Sequence, residues 1–258
     1  MTIGRVDELW RFPVKSLQGE RVDSLSLAAG GIEGDRAWAL VDGATGKLLS
    51  AKRHAALFHG RATTEGDQVV VVLPTGAEFV AGDPEGSRFA SEWLDREVEL
   101  RHVDPATEVA YEMTFDPPND AAEMIDIPAP AGSFLDLAAL HLVSTATLAR
   151  ARAEDPDLDW DVRRFRPNVV IELDEGADPG AAFTEDTWVG RQVEVDGATV
   201  AVRMATVRCA MPLRGQPGLE PQPGMYAVME ALHANHIGVY ADTVRPGPIR
   251  VGGELALA

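Results

Sequence analysis

Short strand-like segments, set between Gly- and Pro-rich turns with no regular helix from one to the next, most narrow what this chain can become. Arg36–Val41, Val69–Leu73, Val98–His102, Asn168–Leu173, Gln192–Val195, Thr199–Val207 and Ile249–Val251 alternate or run apolar in the strand manner. Between Ala37–Val41 and Lys47–Ala51, Asp42-Gly43-Ala44-Thr45-Gly46 permits the positive φ angles of a hairpin. Helical periodicity is confined to Gly86–Arg96, Leu135–Ala153 and Met225–Ala234. A doubly wound sheet needs a helix at each crossover. The pattern therefore predicts a mainly β chain with some helices (α+β), built as barrels or sandwiches.

At 258 residues the chain suits one large domain or two modest ones. Its 41 acidic against 23 basic residues leave a net charge of −18, a field that repels phosphate backbones and anionic lipid. No nucleic acid and no membrane partner is expected. No apolar run reaches the roughly 18 residues of a membrane span, and MTIGRVDELW lacks the basic and apolar regions of a signal peptide, so a cytoplasmic location is expected. The single cysteine, Cys209, excludes an internal disulfide and any four-cysteine cluster built from this chain alone. Val103–Ala149 holds no Lys or Arg but eight acids: Asp104, Glu108, Glu112, Asp116, Asp120, Glu123, Asp126 and Asp136. With Pro105, Pro117, Pro118, Pro128 and Pro130 it reads as a solvated connector between two halves, or as an acidic landing patch for a basic electron donor.

Several segments carry residue types suited to an anion. Lys15 and Ser16 follow the rigid Pro13 in Phe12-Pro13-Val14-Lys15-Ser16, near the end of a first strand. Gly30-Gly31-Ile32-Glu33-Gly34-Asp35-Arg36 lacks dinucleotide-loop spacing and reads as a bend followed by a surface Asp–Arg pair. Arg163, Arg164 and Arg166, before Pro167 and Asn168, gather three guanidinium groups whose forks match phosphate. Ser144 and Thr145 either cap a helix or help hold an anion at its positive end. Cys209 follows a strand and Arg208, a neighbour that favours thiolate, although a lone cysteine is ordinarily an inert core residue. His233 and His236 could share a helix face, but no third metal ligand has a recognisable spacing. H-E-x-x-H, G-x-S-x-G and Walker sequences are absent.

FPVKS (12–16), GIEGDRAWALVD (31–42), LSAKR (49–53), LHLVSTATL (140–148), RFRPNVVI (164–171), FTEDTWVG (183–190), VRC (207–209) and GVYADTVRPGPIRVGGEL (238–255) stand in an order that resembles the MOSC family (molybdenum cofactor sulfurase C-terminal domain). The likeness extends to the mitochondrial amidoxime-reducing component and its bacterial relatives. It implies a MOSC N-terminal β-barrel-like domain over 1–115 and a MOSC β-barrel domain over 116–258. It also implies a molybdenum cofactor (Mo-molybdopterin) with Cys209 as catalytic residue and metal ligand. The cofactor-holding positions match Lys15, Ser16, Arg36, Ser144, Thr145, Arg166, Asn168 and Arg208. The implied activity is reduction of small N-oxygenated substrates, with electrons from a separate flavoprotein, ferredoxin or cytochrome type donor. Pyridoxal phosphate and an iron–sulfur cluster are not expected. Two other readings use the same residues: a sulfur carrier with a Cys209 persulfide, and a protein that binds or delivers the cofactor without turnover. Leu213–Gly224 matches no motif and is expected to shape substrate access.

Overall fold

A computed structural model describes residues 2–114, 116, 119, 122–174 and 182–258. Its N-terminal strands are β1 (Thr2–Arg11), β2 (Glu20–Val22), β3 (Ser24–Ala28), β4 (Gly31–Ile32) and β5 (Trp38–Asp42). They are followed by β6 (Arg61–Glu65), β7 (Gln68–Val72), β8 (Glu78–Val80), helix α1 (Pro84–Leu94), β9 (Val98–His102), β10 (Ala110–Met113) and β11 (Ile125–Pro128). The remainder runs β12 (Leu140–Ser144), α2 (Thr145–Glu154), β13 (Val169–Leu173), β14 (Gln192–Val195), β15 (Ala198–Val207), α3 (Met225–His233), β16 (His236–Arg245), β17 (Gly247–Arg250) and β18 (Glu254–Leu257).

The chain is mainly β, and seven strands close a barrel in the order β1-β13-β12-β16-β15-β14-β18. Antiparallel pairing of β1 with β13, from Gly4↔Leu173 to Leu9↔Val169, completes the ring. The β12–β13 contact is parallel. Period-2 alternation fills the interior: Leu140 and Leu142, Val169 and Ile171, Val193 and Val195, Val200 and Val202, and Val239 and Ala241 belong to one buried cluster. Val143 and Val170, one step out of phase, face away from that cluster and pack with Leu148, Ala151, Met225 and Met229 of α2 and α3. This explains why β12 is buried at every residue.

The helix expected over Leu135–Ala153 is α2 alone, since Leu140–Ser144 is a strand. A short apolar run buried on both faces has no period that separates strand from helix. Around the barrel, β5 pairs with β9, β6-β7-β8 form a meander, and α1 packs on this group through a second core. Four pairings span the expected boundary between residues 115 and 116: β1 pairs with β13 and with β18, β3 with β17, and β10 with β11. Of the acidic stretch, Asp120, Pro117 and Pro118 lie outside the described residues. Among the described residues no helix is long and apolar enough to cross a membrane.

At the closing seam a Cβ on Gly4 would stand 2.4 Å from the Glu172 carbonyl oxygen. Gly4→Val should therefore push β1 off β13 and lower stability by about 1–3 kcal/mol, read as a lower urea midpoint at unchanged slope.

Candidate anion-binding cleft and its cysteine

The alternation that fills the barrel turns His141 and Tyr240 outward. They are register partners on β12 and β16, with ring centroids 5.7 Å apart. Both line a cleft between the barrel's outer face and loops of the first half. Phe12–Ser16 runs beside residues 36–38, where Arg36 N–H donates to the Phe12 carbonyl at 2.7 Å and Lys15 N–H to that of Trp38 at 2.8 Å. Ser16 Oγ accepts from Ala51 N–H at 3.1 Å, tying this loop to the LSAKR segment.

Of the residues expected from sequence, Lys15, Ser16, Arg36, Arg166, Asn168, Arg208 and Cys209 all line this cleft. Three have left-handed backbone, with φ of 68° at Ser16, 51° at Arg36 and 53° at Arg166. Side chains rarely take that conformation outside glycine, Asn and Asp, so neighbouring contacts must impose it. Arg166 donates to the Leu17 carbonyl at 2.7 Å and lies 4.0 Å from the Phe12 ring centroid. Arg36 is 4.9 Å from the same centroid. Arg208 donates to the Phe165 carbonyl at 2.7 Å. Arg166 Nη2 and Arg208 Nε are buried without a hydrogen-bond partner among the described residues. Buried guanidinium nitrogens left unpaired are costly, and an anionic ligand would satisfy them. Burial and the nearby Arg36 pull Arg166 down to about 9, so it is still cationic at neutral pH.

Asn168, while lining the cleft, also ties strands together. Its Oδ1 accepts from His141 N–H at 3.2 Å and its Nδ2 donates to the Trp10 carbonyl at 3.3 Å, so the amide braces β1, β12 and β13 together. Ser144 and Thr145 do not line the cleft. Ser144 caps α2 by accepting from Thr147 N–H at 3.1 Å, and its own N–H and hydroxyl donate to buried Glu185 at 3.0 and 2.8 Å. The carboxyl group at this helix start is supplied by the chain itself, and burial pushes it up from the ordinary range. Only one of the three clustered arginines faces the cleft. Arg163 pairs with Asp161 at 2.8 Å, while fully buried Arg164 donates to the carbonyls of Asp159, Pro212, Arg214 and Glu220. Arg164 thereby pins much of the Leu213–Gly224 loop. The Asp35–Arg36 pair is not a surface pair: Asp35's side chain is 2% exposed and accepts from Phe12 N–H at 2.7 Å. His233 Nε2 donates to the Asp186 carboxylate at 2.6 Å, and the ring stacks on Phe183. No group of three His, Cys, Asp or Glu residues suited to a metal occurs among the described residues.

Sequence reasoning missed Asp136, Lys52, His141 and Tyr240. Asp136, counted with the acidic connector, turns inward and bridges Lys15 and Lys52, the latter at 2.7 Å. Lys15 also donates to the Phe134 carbonyl at 2.7 Å, and Lys52 Nζ sits 4.6 Å from the Tyr111 ring centroid. Burial opposes ionisation of Asp136, yet Lys15 and Lys52 carry its carboxyl far below the usual range. Burial likewise lowers Lys15, helped by Lys52 and only partly offset by Asp136. For Lys52 the burial penalty is outweighed by Asp136, then Cys209, and its pKa rises. Burial and then Arg208 push His141 well below its ordinary value, so it is neutral, with Nε2 3.2 Å from the Ile237 carbonyl. The available signals were the LSAKR motif itself and a lone acid inside the apolar FLDLAAL run.

The model of the MOSC N-terminal beta barrel domain matches residues 3–100, and that of the MOSC domain matches residues 131–256. The chain belongs to the MOSC family. Membership makes it a molybdenum-cofactor-associated protein. Similar solved structures include the YUAD protein from Bacillus subtilis, 12% identical over 99% of this chain and 94% of that one, with a TM-score of 0.49. A structure titled as a hypothetical protein is 10% identical over 99% of this chain and 68% of that one, with a TM-score of 0.44. YiiM from Geobacillus stearothermophilus is 14% identical over 60% of this chain and 73% of that one, with a TM-score of 0.34. No curated protein matches this MOSC chain. Its cleft fits the family's cofactor on chemical grounds. Unpaired guanidinium nitrogens would meet an anionic group, and a half-buried thiol, the soft donor a heavy metal prefers, shares the same wall.

Asp136→Asn should leave two enclosed ammonium groups without their shared counter-charge and cost roughly 3–5 kcal/mol at neutral pH. Because the folded-state pKa is depressed, the stabilisation is complete above about pH 3.8, the ordinary carboxyl value, and is lost as pH falls below it. Chemical denaturation between pH 7 and pH 2 should show the gap between wild type and variant shrinking by about 1.4 kcal/mol per unit below that point.

Proposed function

We propose that this chain is a molybdenum-cofactor-dependent oxidoreductase that reduces N-hydroxylated small molecules with electrons from a separate donor protein. The observation that carries this reading is the meeting of Cys209 with the unpartnered nitrogens of Arg166 and Arg208 on one cleft wall. Lys15, Ser16, Arg36, Arg166 and Arg208 would hold the anionic arm of the cofactor, and the Cys209 thiolate its metal. When bound, the cofactor supplies a redox centre that can take an oxygen atom from an N–OH group. Overall, the N–O bond is cleaved with two electrons and two protons, and water leaves.

The chain's own residues set the stage for that chemistry. Arg36 and Arg166, held at fixed backbone angles beside Phe12, orient an anion without rearranging. His141 stays neutral and Tyr240 is pushed up by burial, so neither adds negative charge to the wall. Lys52 keeps a proton on an ammonium beside Cys209, in a position to hydrogen-bond an oxygen there. With one cysteine the chain binds no four-cysteine cluster of its own, which is why a donor of flavoprotein, ferredoxin or cytochrome type is part of the proposal.

Protein from a cofactor-producing host should contain close to one molybdenum per chain and, with a chemical reductant, convert benzamidoxime to benzamidine. Cys209→Ser should lower turnover at least ~100-fold while pterin is retained, and Arg166→Ala should lower pterin and molybdenum content together. Full turnover by Cys209→Ser would overturn the assignment. Molybdenum-free protein with sulfane sulfur on Cys209 would favour the sulfur-carrier reading, and loaded protein without turnover the delivery reading.

A further inference from the structure

Cys209 lies on a wall shared by the two spaces that concern the substrate. One is the polar cleft; the other is a cavity of about 300 Å³ that shares Asp136, Leu137, Val207, Arg208, Cys209 and Tyr240 with it. Tyr111, Met113 and Tyr226 complete most of the apolar lining of the second chamber. Lys52 belongs to its wall as well, and its side chain is only 10% exposed. Among the described residues the Lys52 ammonium has Asp136 as its one hydrogen-bond acceptor, which leaves donor capacity for a ligand. Leu137 and Val207 are 46% and 47% exposed, unusual for apolar side chains flanking a cavity. Exposed apolar groups at a cavity mouth gain when a ligand covers them.

We propose that this second chamber receives the body of the substrate: a flat, uncharged, largely apolar group of about the size of an aromatic ring, with its oxygen-bearing head turned toward Lys52 and Cys209. The inference deepens the reductase reading and rests on it. Hydrogen bonding argues for a neutral, oxygen-bearing head. The Lys52 ammonium on this wall still has hydrogens to donate, so a neutral or anionic oxygen is accepted, whereas a cationic head that carries only N–H donors finds Asp136 already engaged by Lys15 and Lys52. An amidoxime is uncharged at neutral pH, whereas the amidine formed from it is protonated. The same wall therefore favours the substrate over its product.

Calorimetric titration of the purified, cofactor-containing protein with benzamidoxime, acetamidoxime and benzamidine tests this without relying on turnover. Benzamidoxime should bind roughly ten-fold or more tightly than acetamidoxime, from burial of the ring, and more tightly than benzamidine. Val207→Trp changes an exposed rim position and fills the mouth; it should erase the preference for the ring. Lys52→Met should narrow the gap between benzamidoxime and benzamidine. Equal affinity for the two amidoximes, or a ring preference untouched by Val207→Trp, would overturn the proposal while leaving the reductase reading intact if both compounds are reduced. Ring preference in protein that reduces neither compound would support the chamber and overturn the reductase reading.

Discussion

Lys15 and Lys52 are both nearly enclosed, and both reach the carboxylate of Asp136. An ammonium taken out of water without a counter-charge loses several kcal/mol of hydration, so neither could be kept at the cleft without that shared acid. Much of the site's character follows from this one carboxylate. It holds Lys15 against the polar cleft and Lys52 against the apolar chamber, and it stands on the wall the two spaces share. Among the described residues Arg36 pairs with Asp35, whereas Arg166 and Arg208 form no ion pair. In a protein with net charge −18, the cleft gathers cationic side chains against the sign of the whole.

The barrel's two-residue period explains how such a site is cut into a β surface. Inward Leu140, Leu142, Val239 and Ala241 supply packing, and the residues between them, His141 and Tyr240, become the cleft wall. Parallel contact between β12 and β13 brings Asn168 against His141 and β1, so the loops that carry Arg166 and Lys15 leave the barrel side by side. The sheet connections also bind the two sequence halves: β1 is a stave of the later barrel, and β17 extends a sheet begun by β3.

Alternation and turn residues made the β character, α1, α3 and several strands legible in the sequence, because each has a period or a punctuation mark of its own. Leu140–Ser144 had neither, being buried on both sides, and was absorbed into a helix. At the site, cations in Pro- or Gly-marked loops were readable as candidates, and Lys15, Arg36, Arg166 and Arg208 do meet in space. What could not be read was pairing across the chain. Nothing local to Asp136 says that its partners lie more than eighty residues earlier, and nothing local to Ser144 says that Glu185 will occupy the helix start in place of a ligand. Arg163 and Arg164 looked equivalent to Arg166, yet burial among four carbonyl groups makes Arg164 a structural clamp.

The left-handed backbone at Ser16, Arg36 and Arg166 sets two demands on the chain against each other. Glycine would rest in each of these conformations more comfortably, and selection for thermal robustness alone would drift toward it. The positions carry a hydroxyl and two guanidinium groups instead, held in that conformation by neighbouring contacts on the cleft wall. Glycine at these three positions would relieve the backbone and remove the side chains that line the cleft.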